Sequence, residues 1–380
     1  MGIKNFSKTF AAIKALKNYK ELSNKIIAID AMTELYRAAL GAKNVKELTD
    51  ANGRPTIHIK TLLAVIIEMH QNNVDQIWVF DHSQEHDTDF HNPMKLGELQ
   101  KRKKRKEMAI EQIKSLSDLP SEDPLFSDDE TQVVSDKPEE VKDKEVKDKI
   151  ASLEKQMFSV SKDMINDLKI ILTLLNIKYI EAPYGFEGES IASYLTEIDR
   201  AHAVFSGDTD PLAYGAKMLY RRNPRDKLIY LYTIDSVLSQ ISDANSRYQN
   251  PSMDDFLKAA VILGTDACEK TPGIGPMTVL KKMHTVKLTD QQTSAIQEFK
   301  KRPNIDDILV HNINKQQFIE ADIPQLTEWL VNEKSFSSTR VKDMFEKALK
   351  PSAVKTKQHS KNIKKQKKEP DHCEITELDD

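Results

Sequence analysis

KIIAID, residues 25–30, and QIWVFD, residues 76–81, are short runs of β-branched, aliphatic and aromatic residues, and each closes on an aspartate. They are too brief for helices, and unbroken rather than alternating hydrophobicity is how a strand buried on both faces of a parallel sheet reads. Between them, IHIKTLLAVIIEM (57–69) is long enough for a helix, and AMTELYRAAL, directly after Asp30, continues as another. Strand, helix, helix, strand is an α/β order. The same order resumes further on, with a helical stretch around 160–175, IKYIEAP at 177–183, a helix through IASYLTEI, and AHAVFSGDTD at 201–210. The expected fold is therefore α/β, with a central, mostly parallel sheet flanked by helices. In such sheets the ligand crevice lies beyond the carboxyl ends of the strands. Asp30, Asp81, Asp208 and Asp210 are expected to meet there.

The 380 residues are 39% hydrophobic, enough for a sizeable core, and 56 Lys plus Arg against 59 Asp plus Glu leave a formal net charge of −3. Net charge alone thus predicts no attraction to nucleic acid or membrane, and the distribution of charge carries the information. From Lys95 to Lys106, KLGELQKRKKRK holds seven basic residues and one acid, whereas Asp118 to Lys149 holds twelve acids, five lysines and three prolines. The first piece reads as a basic helix and the second as disordered. Lys350 to Lys368 carries eight lysines and almost no apolar residues, which reads as a flexible tail. Two cysteines, Cys268 and Cys373, cannot form a disulfide framework, so a reducing compartment is expected. No apolar run approaches the roughly 20 residues of a membrane helix. MGIKNF lacks a secretory apolar core, and Phe6 breaks the myristoylation pattern.

Seven acids stand out by position: Asp30, Asp81, Glu187, Glu189, Asp208, Asp210 and Asp266. In one cleft they would repel, and divalent cations are the obvious compensation. An all-oxygen donor set favours magnesium or manganese over zinc, and Mg²⁺ takes one or two carboxylates directly while keeping several waters. Two such ions about 3.5–4 Å apart are the apparatus of phosphodiester hydrolysis. A single Asp at a strand end is more often a helix cap. Three strands ending in acids, with an Asp-x-Asp and a Glu-x-Glu, are much harder to assign to capping. Glu187 and Glu189 would point apart on a regular helix, so at least one of them is expected in its non-helical lead-in.

With these residues in view, the chain resembles the flap endonuclease and XPG family of structure-specific 5′-nucleases. The matching motifs run in order: MGI at the start, IAIDAMTELY (27–36), VFD (79–81), KLGELQKRKKR (95–105), EGE (187–189), GDTDPLAYGA (207–216) and LGTDACEKTPGIGP (263–276). The resemblance implies a PIN-like nuclease fold with a helical arch and a helix-two-turn-helix element. It implies that the same seven acids hold two Mg²⁺, with Mn²⁺ as a substitute. Lys95 and Arg102 match the family's catalytic basic residues on the first arch helix, where they would hold the scissile phosphate. Tyr36 matches an aromatic on which a base near the cut site stacks. Gly2 also falls among the implied DNA contacts. Gly273, Gly275, Lys281 and Lys282 belong to TPGIGPMTVLKKM (271–283), a Gly-rich turn feeding a helix that would grip duplex phosphates with the help of K⁺.

The chain departs from the pattern in places. His82 follows Asp81 where Gly is usual, Tyr184, Gly185 and Phe186 lengthen the approach to Glu187, Lys270 replaces a hydroxyl residue near the potassium site, and Met277 stands where a basic residue is frequent. The acidic insertion reads either as a charged gate or, preferably, as passive. The tail lacks a sliding-clamp motif, so clamp binding is not expected, and this suits a divergent, viral-type member.

The expected organisation is an N-terminal nuclease region with the first arch helix (1–110), an acidic, disordered arch insertion (111–154) and an internal nuclease region with the helix-two-turn-helix (155–285). A helical region (286–349) and the basic tail (350–380) follow. The expected activity is Mg²⁺-dependent endonucleolytic cleavage of DNA junctions carrying a 5′ single strand, with an accompanying 5′-to-3′ exonuclease, in replication or repair. Enzymes for bubbles, four-way junctions or RNA are the nearest rivals, and a catalytically dead DNA-binding protein is the rival of another class. A monomer in the nucleus is expected, the host's if the chain is viral, with the cytoplasm as the alternative.

Overall fold

A computed structural model describes residues 2–40, 49–82, 93–117, 146, 149–150, 152–153, 157–223, 226–304, 318 and 320–348; within 93–117, side chains are described for 103–115. A seven-stranded sheet lies at the centre: β1 (Lys14–Leu16), β2 (Ile26–Asp30), β3 (Asp75–Phe80), β4 (Lys178–Glu181), β5 (Ala203–Ser206), β6 (Met218–Arg222) and β7 (Ile229–Thr233). Their order across the sheet is β1-β7-β6-β5-β2-β3-β4. The five strands from β6 to β4 are parallel, while β7 runs antiparallel to both β6 and β1. The expected mostly parallel sheet is present, with an antiparallel edge that the apolar runs did not announce.

The period-two alternation of strand side chains divides the core into two layers. Ile27, Ile29, Trp78, Phe80 and Phe205 face one layer. Ala28, Ile77, Val79 and Val204 face the other. On the first face lie α2 (Ala31–Leu40), α3 (Ile57–Gln71) and α5 (Lys162–Leu174); α1 (Phe6–Thr9) and α6 (Gly188–Glu197) lie on the second, where the small Ala28 leaves room for α6 to sit close to β2. The basic run falls on α4 (Pro93–Ser117). That helix continues past residue 110, the expected limit of its region, because KEMAIEQIK keeps strong helix formers up to the point where the acids begin at Asp118. Most of the acidic insertion, and the tail from 349 onward, lie outside the described residues.

The one-turn α7 (Asp210–Ala213) follows β5, and α8 (Ile234–Ala244) and α9 (Met253–Leu263) follow β7. Ser252 and Asp255 close a capping box at the start of α9. α10 (Val279–Lys282) is a single turn and α11 (Asp290–Lys300) is longer; α12 (Ile323–Asn332) and α13 (Ser338–Ala348) return to the first layer, where Leu326, Leu330, Val341 and Phe345 join its core. Among the described residues no helix is long and apolar enough to cross a membrane.

From β2 the chain advances to β3 and β4 on one side, then returns across to β5 and β6 on the other. The direction of winding therefore reverses between β2 and β5, and a crevice opens at that switch point.

Candidate active site

Asp30 is the last residue of β2, Asp81 follows the end of β3, and Asp208 and Asp210 follow the end of β5. Glu187 is the N-cap of α6, with extended backbone (φ −95°, ψ 152°), and Glu189 lies in the helix's first turn. The Glu-x-Glu pair thus straddles a non-helical lead-in, as its spacing required. Asp266 comes from the turn after α9 and reaches the same place, for the Gly2 N–H donates to its Oδ2 at 3.3 Å.

The carboxylates act on one another. Burial raises the Asp30 pKa, and nearby Asp81 raises it further. Glu189 is pushed well up by burial and then by Asp208, Asp30, Asp210 and Glu187. Asp210 is likewise pushed well up by burial, Asp208, Asp266 and Glu187. Asp208 rises to about 6, chiefly through burial, with Asp266 and Asp30 adding to the effect. All seven sequence-selected acids therefore share one electrostatic neighbourhood.

Local hydrogen bonds hold several of them in place. Asp30 Oδ1 accepts the Thr33 N–H at 3.1 Å, while its Oδ2 accepts the Ser206 hydroxyl at 2.9 Å and also that of Thr33. Asp30 thus performs the capping role and faces the crevice as well. Ser206 Oγ in turn accepts the Asp208 N–H at 3.0 Å, and Asp208 Oδ1 accepts the Thr209 N–H at 2.6 Å. Asp81 Oδ1 accepts the Gly188 N–H at 2.8 Å, tying β3 to the start of α6. Tyr214 donates to Glu187 Oε2 at 3.4 Å. Among the described residues, Asp210 Oδ1 has no hydrogen-bond partner though the atom is buried.

That orphaned oxygen, in an all-carboxylate set whose members resist ionisation together, fits a hard divalent cation. Among the described residues, no three His, Cys, Asp or Glu side chains converge as the direct ligands of one ion. Magnesium needs only one or two direct carboxylates and leaves the others to hold its waters.

Gly2 sits deeper than a surface DNA contact would. A side chain there would start 1.8 Å from Asp208 Oδ1 and 2.9 Å from Asp210 Oδ1, and its φ of +78° is itself in the glycine region. The chain start is pinned by the Ile3 N–H, which donates to Thr209 Oγ1 at 2.9 Å. Ser206, Thr33, Gly188 and Tyr214 were not singled out in the sequence. Ser206 and Thr33 carry a local signal, a hydroxyl two residues before Asp208 and another three after Asp30; Tyr214 carries none.

Lys95 and Arg102 fall on α4, but their side chains lie outside the described residues. Tyr36 is half-buried on α2, its ring edge-on to Phe158 with centroids 5.7 Å apart. Gly273 and Gly275 lie in the turn before α10, where Gly273 adopts φ +75°, and Lys281 and Lys282 are exposed on that single helical turn. Met277, in the same turn, is 79% exposed.

Residues 1–109 match the family model of the XPG N-terminal domain and residues 176–266 that of the XPG I-region. Flap endonuclease 1 of Plasmodium falciparum is 25% identical over 399 residues, covering 96% of this chain and 55% of its own length. The chain thus spans little more than half of that relative. Flap endonuclease 1 of Picrophilus torridus is 26% identical over 348 residues, covering 88% of this chain and 92% of the relative. The flap endonuclease-1 structure from Methanococcus jannaschii superposes with a TM-score of 0.62 at 22% identity, covering 93% of this chain and all of that one, and so shares the fold.

Proposed function

The chain belongs to the flap endonuclease/XPG family, and from that premise we propose that it hydrolyses phosphodiesters in DNA at junctions bearing a 5′ single strand. The observation that carries this reading is the buried carboxylate cleft at the sheet's switch point, with more negative charge than its own protein partners balance.

Asp30, Asp81, Glu187, Glu189, Asp208, Asp210 and Asp266 would hold two Mg²⁺, directly or through water, with Mn²⁺ as a substitute. Cations so held lower the pKa of a bound water and offset charge on the phosphate. The protein's own contribution is positional. Thr33 and Ser206 lock Asp30, the Gly188 N–H aims Asp81, and Gly2 closes one wall where no side chain would fit. Lys95 and Arg102 would bind the scissile phosphate and stabilise the charge that builds on it. Tyr36, in an edge-type contact with Phe158, would stack on a base near the cut. Gly273, Gly275, Lys281 and Lys282 would contact duplex phosphates, with K⁺ as the proposed ion of that element, and such contacts position a duplex without reading its sequence. Substrate choice would then follow shape.

A labelled 5′-flap duplex tests the assignment. Wild type should cut near the junction in Mg²⁺ and in Mn²⁺, and Asp208→Ala should not; equal cutting by both would sink the reading. Bubble, four-way and RNA-containing substrates compared at one salt concentration would rank the junctions it prefers.

A further inference from the structure

The segment from Gly264 to Pro276 joins the acid cleft to the turn that carries Gly273 and Gly275. Near its start, Asp266 reaches the cleft, where its Oδ2 accepts the Gly2 N–H. Near its end, a Cβ added at Gly273 or Gly275 would meet nothing within 4 Å, so bare backbone lies open there. The chain start holds both ends of the segment: the Lys4 N–H donates to the Gly264 carbonyl at 2.8 Å, and the Thr9 hydroxyl to the Pro276 carbonyl at 3.3 Å. The middle is held from α11. Gln291 Nε2 donates to the Ala267 carbonyl at 3.1 Å. Buried Gln292 turns its Nε2 toward three oxygens: Thr271 Oγ1 at 3.0 Å, the Glu269 carbonyl at 3.4 Å and, in the last turn of α9, the Val261 carbonyl at 3.0 Å.

The Gln292 amide can face only one way. Its Oε1 accepts the Thr289 N–H at 3.1 Å, closing the capping box of α11, and the two carbonyls can only accept, so the amide nitrogen must point at them. Capping needs the Oε1 contact alone. The Nε2 contacts reach 21 to 31 positions back along the chain, and through them one side chain ties the start of α11 to the end of α9 and to the segment between Asp266 and Gly273. The geometry assigns Gln292 as a positioning residue: it fixes the spacing between Asp266 in the cleft and the proposed duplex contacts at Gly273 and Gly275, and so the place along a junction where the cut falls. The role rests on the nuclease reading above. Misplacement by about 1 Å, even from a change far from the chemistry, can cost a hundredfold in rate, so such spacing bears directly on cleavage.

The test is a 5′-flap duplex labelled at the flap's 5′ end, cut by the full chain in Mg²⁺, with products resolved to single nucleotides. Gln292→Met keeps the length of the side chain and loses its donors. It should raise the ratio of displaced to principal product by roughly three- to tenfold, the equilibrium factor of one net hydrogen bond. Its kcat should fall by roughly ten- to hundredfold with KM for the duplex little changed. Thr289→Ala breaks the same capping box from its other arm and leaves the Nε2 contacts in place, so it should lower the melting temperature without moving the cut. Thr271→Val takes one acceptor from the amide and leaves the cap of α11 whole. It should displace the cut in the same sense, and it decides the matter if Gln292→Met does not fold. Wild-type cut positions in every folded variant that touches the amide, or equal displacement by Thr289→Ala, would overturn the assignment and leave the nuclease reading intact. A wild type that cuts no junction would sink the nuclease reading and this assignment with it.

Discussion

Two of the places where the described residues bury carboxylates treat them in opposite ways. In the first layer, Asp167 on α5 is satisfied twice: His58 Nε2 of α3 lies 3.1 Å from Oδ2, and Lys334 Nζ, just beyond α12, lies 2.6 Å from Oδ1. Lys334 also lies over the Trp329 ring, 5.1 Å from its centroid. In the crevice, buried Asp30 and Asp208 and half-buried Glu189 and Asp210 lie among other acids, and desolvation and mutual repulsion raise their pKa values. A buried charge with good partners joins elements together, here the C-terminal helices to α3 and α5. A buried charge without them is costly to folding and persists where a ligand brings the missing charge.

The contrast is most easily broken at Lys334. Lys334→Met should strip Asp167 of its ammonium partner and destabilise the protein by about 3–5 kcal/mol in urea unfolding, the usual cost of removing half of a buried pair. A change below about 1 kcal/mol, the range of a surface pair, would mean that this joint is not what ties down the C-terminal helices.

Asp210→Asn should do the reverse. It removes a repelling charge, so the metal-free protein should melt no lower than wild type, while flap cleavage falls by about 10²–10³-fold, the scale of a lost transition-state electrostatic contact. A variant that both unfolds and loses activity would show that Asp210 is structural. Cations sharpen the same distinction. Mg²⁺ at about 100 times its Kd should stabilise wild type by about 2.7 kcal/mol and Asp210→Asn by clearly less, as thermal melts across a titration would show. Equal gains would place the ion elsewhere.

A further effect is expected in pH. Asp208 is raised to about 6 from an ordinary 3.8, so the folded state binds its proton more tightly than the unfolded chain does. Stability contributed this way is present below about pH 4 and is lost as pH climbs through 6, the opposite of a carboxylate stabilised by a partner. In EDTA, the melting temperature of wild type relative to Asp208→Asn should therefore fall between pH 4 and 7 and then level. A difference that rises with pH would contradict the uncompensated cleft.

How much of this was legible depended on whether the signal was local. Asp30, Asp81, Asp208 and Asp210 could be placed because each ends an apolar run, and parallel strands bring their carboxyl ends to one edge whatever lies between them. The non-helical lead-in at Glu187 followed from helix periodicity alone. The antiparallel strands β1 and β7 were less legible: β1 has three residues, and β7 sets half-buried Tyr230 and Thr233 beside its buried Ile229, Leu231 and Tyr232. Gly2 could be read as a contact but not as a wall of the cleft, since its neighbours Asp208 and Asp266 lie more than two hundred positions away. His58, Asp167 and Lys334 each look ordinary in sequence, and only packing makes them a unit.

By itself the sequence determined the kind of chemistry, because hard acids at strand ends and an ordered set of motifs state which donors the protein offers. Tertiary structure decided which of those acids are balanced and which are left wanting, because that depends on what each carboxylate meets once water is removed. Pairing between residues a hundred or more positions apart is settled by how helices and loops close over the sheet, and no local pattern records it.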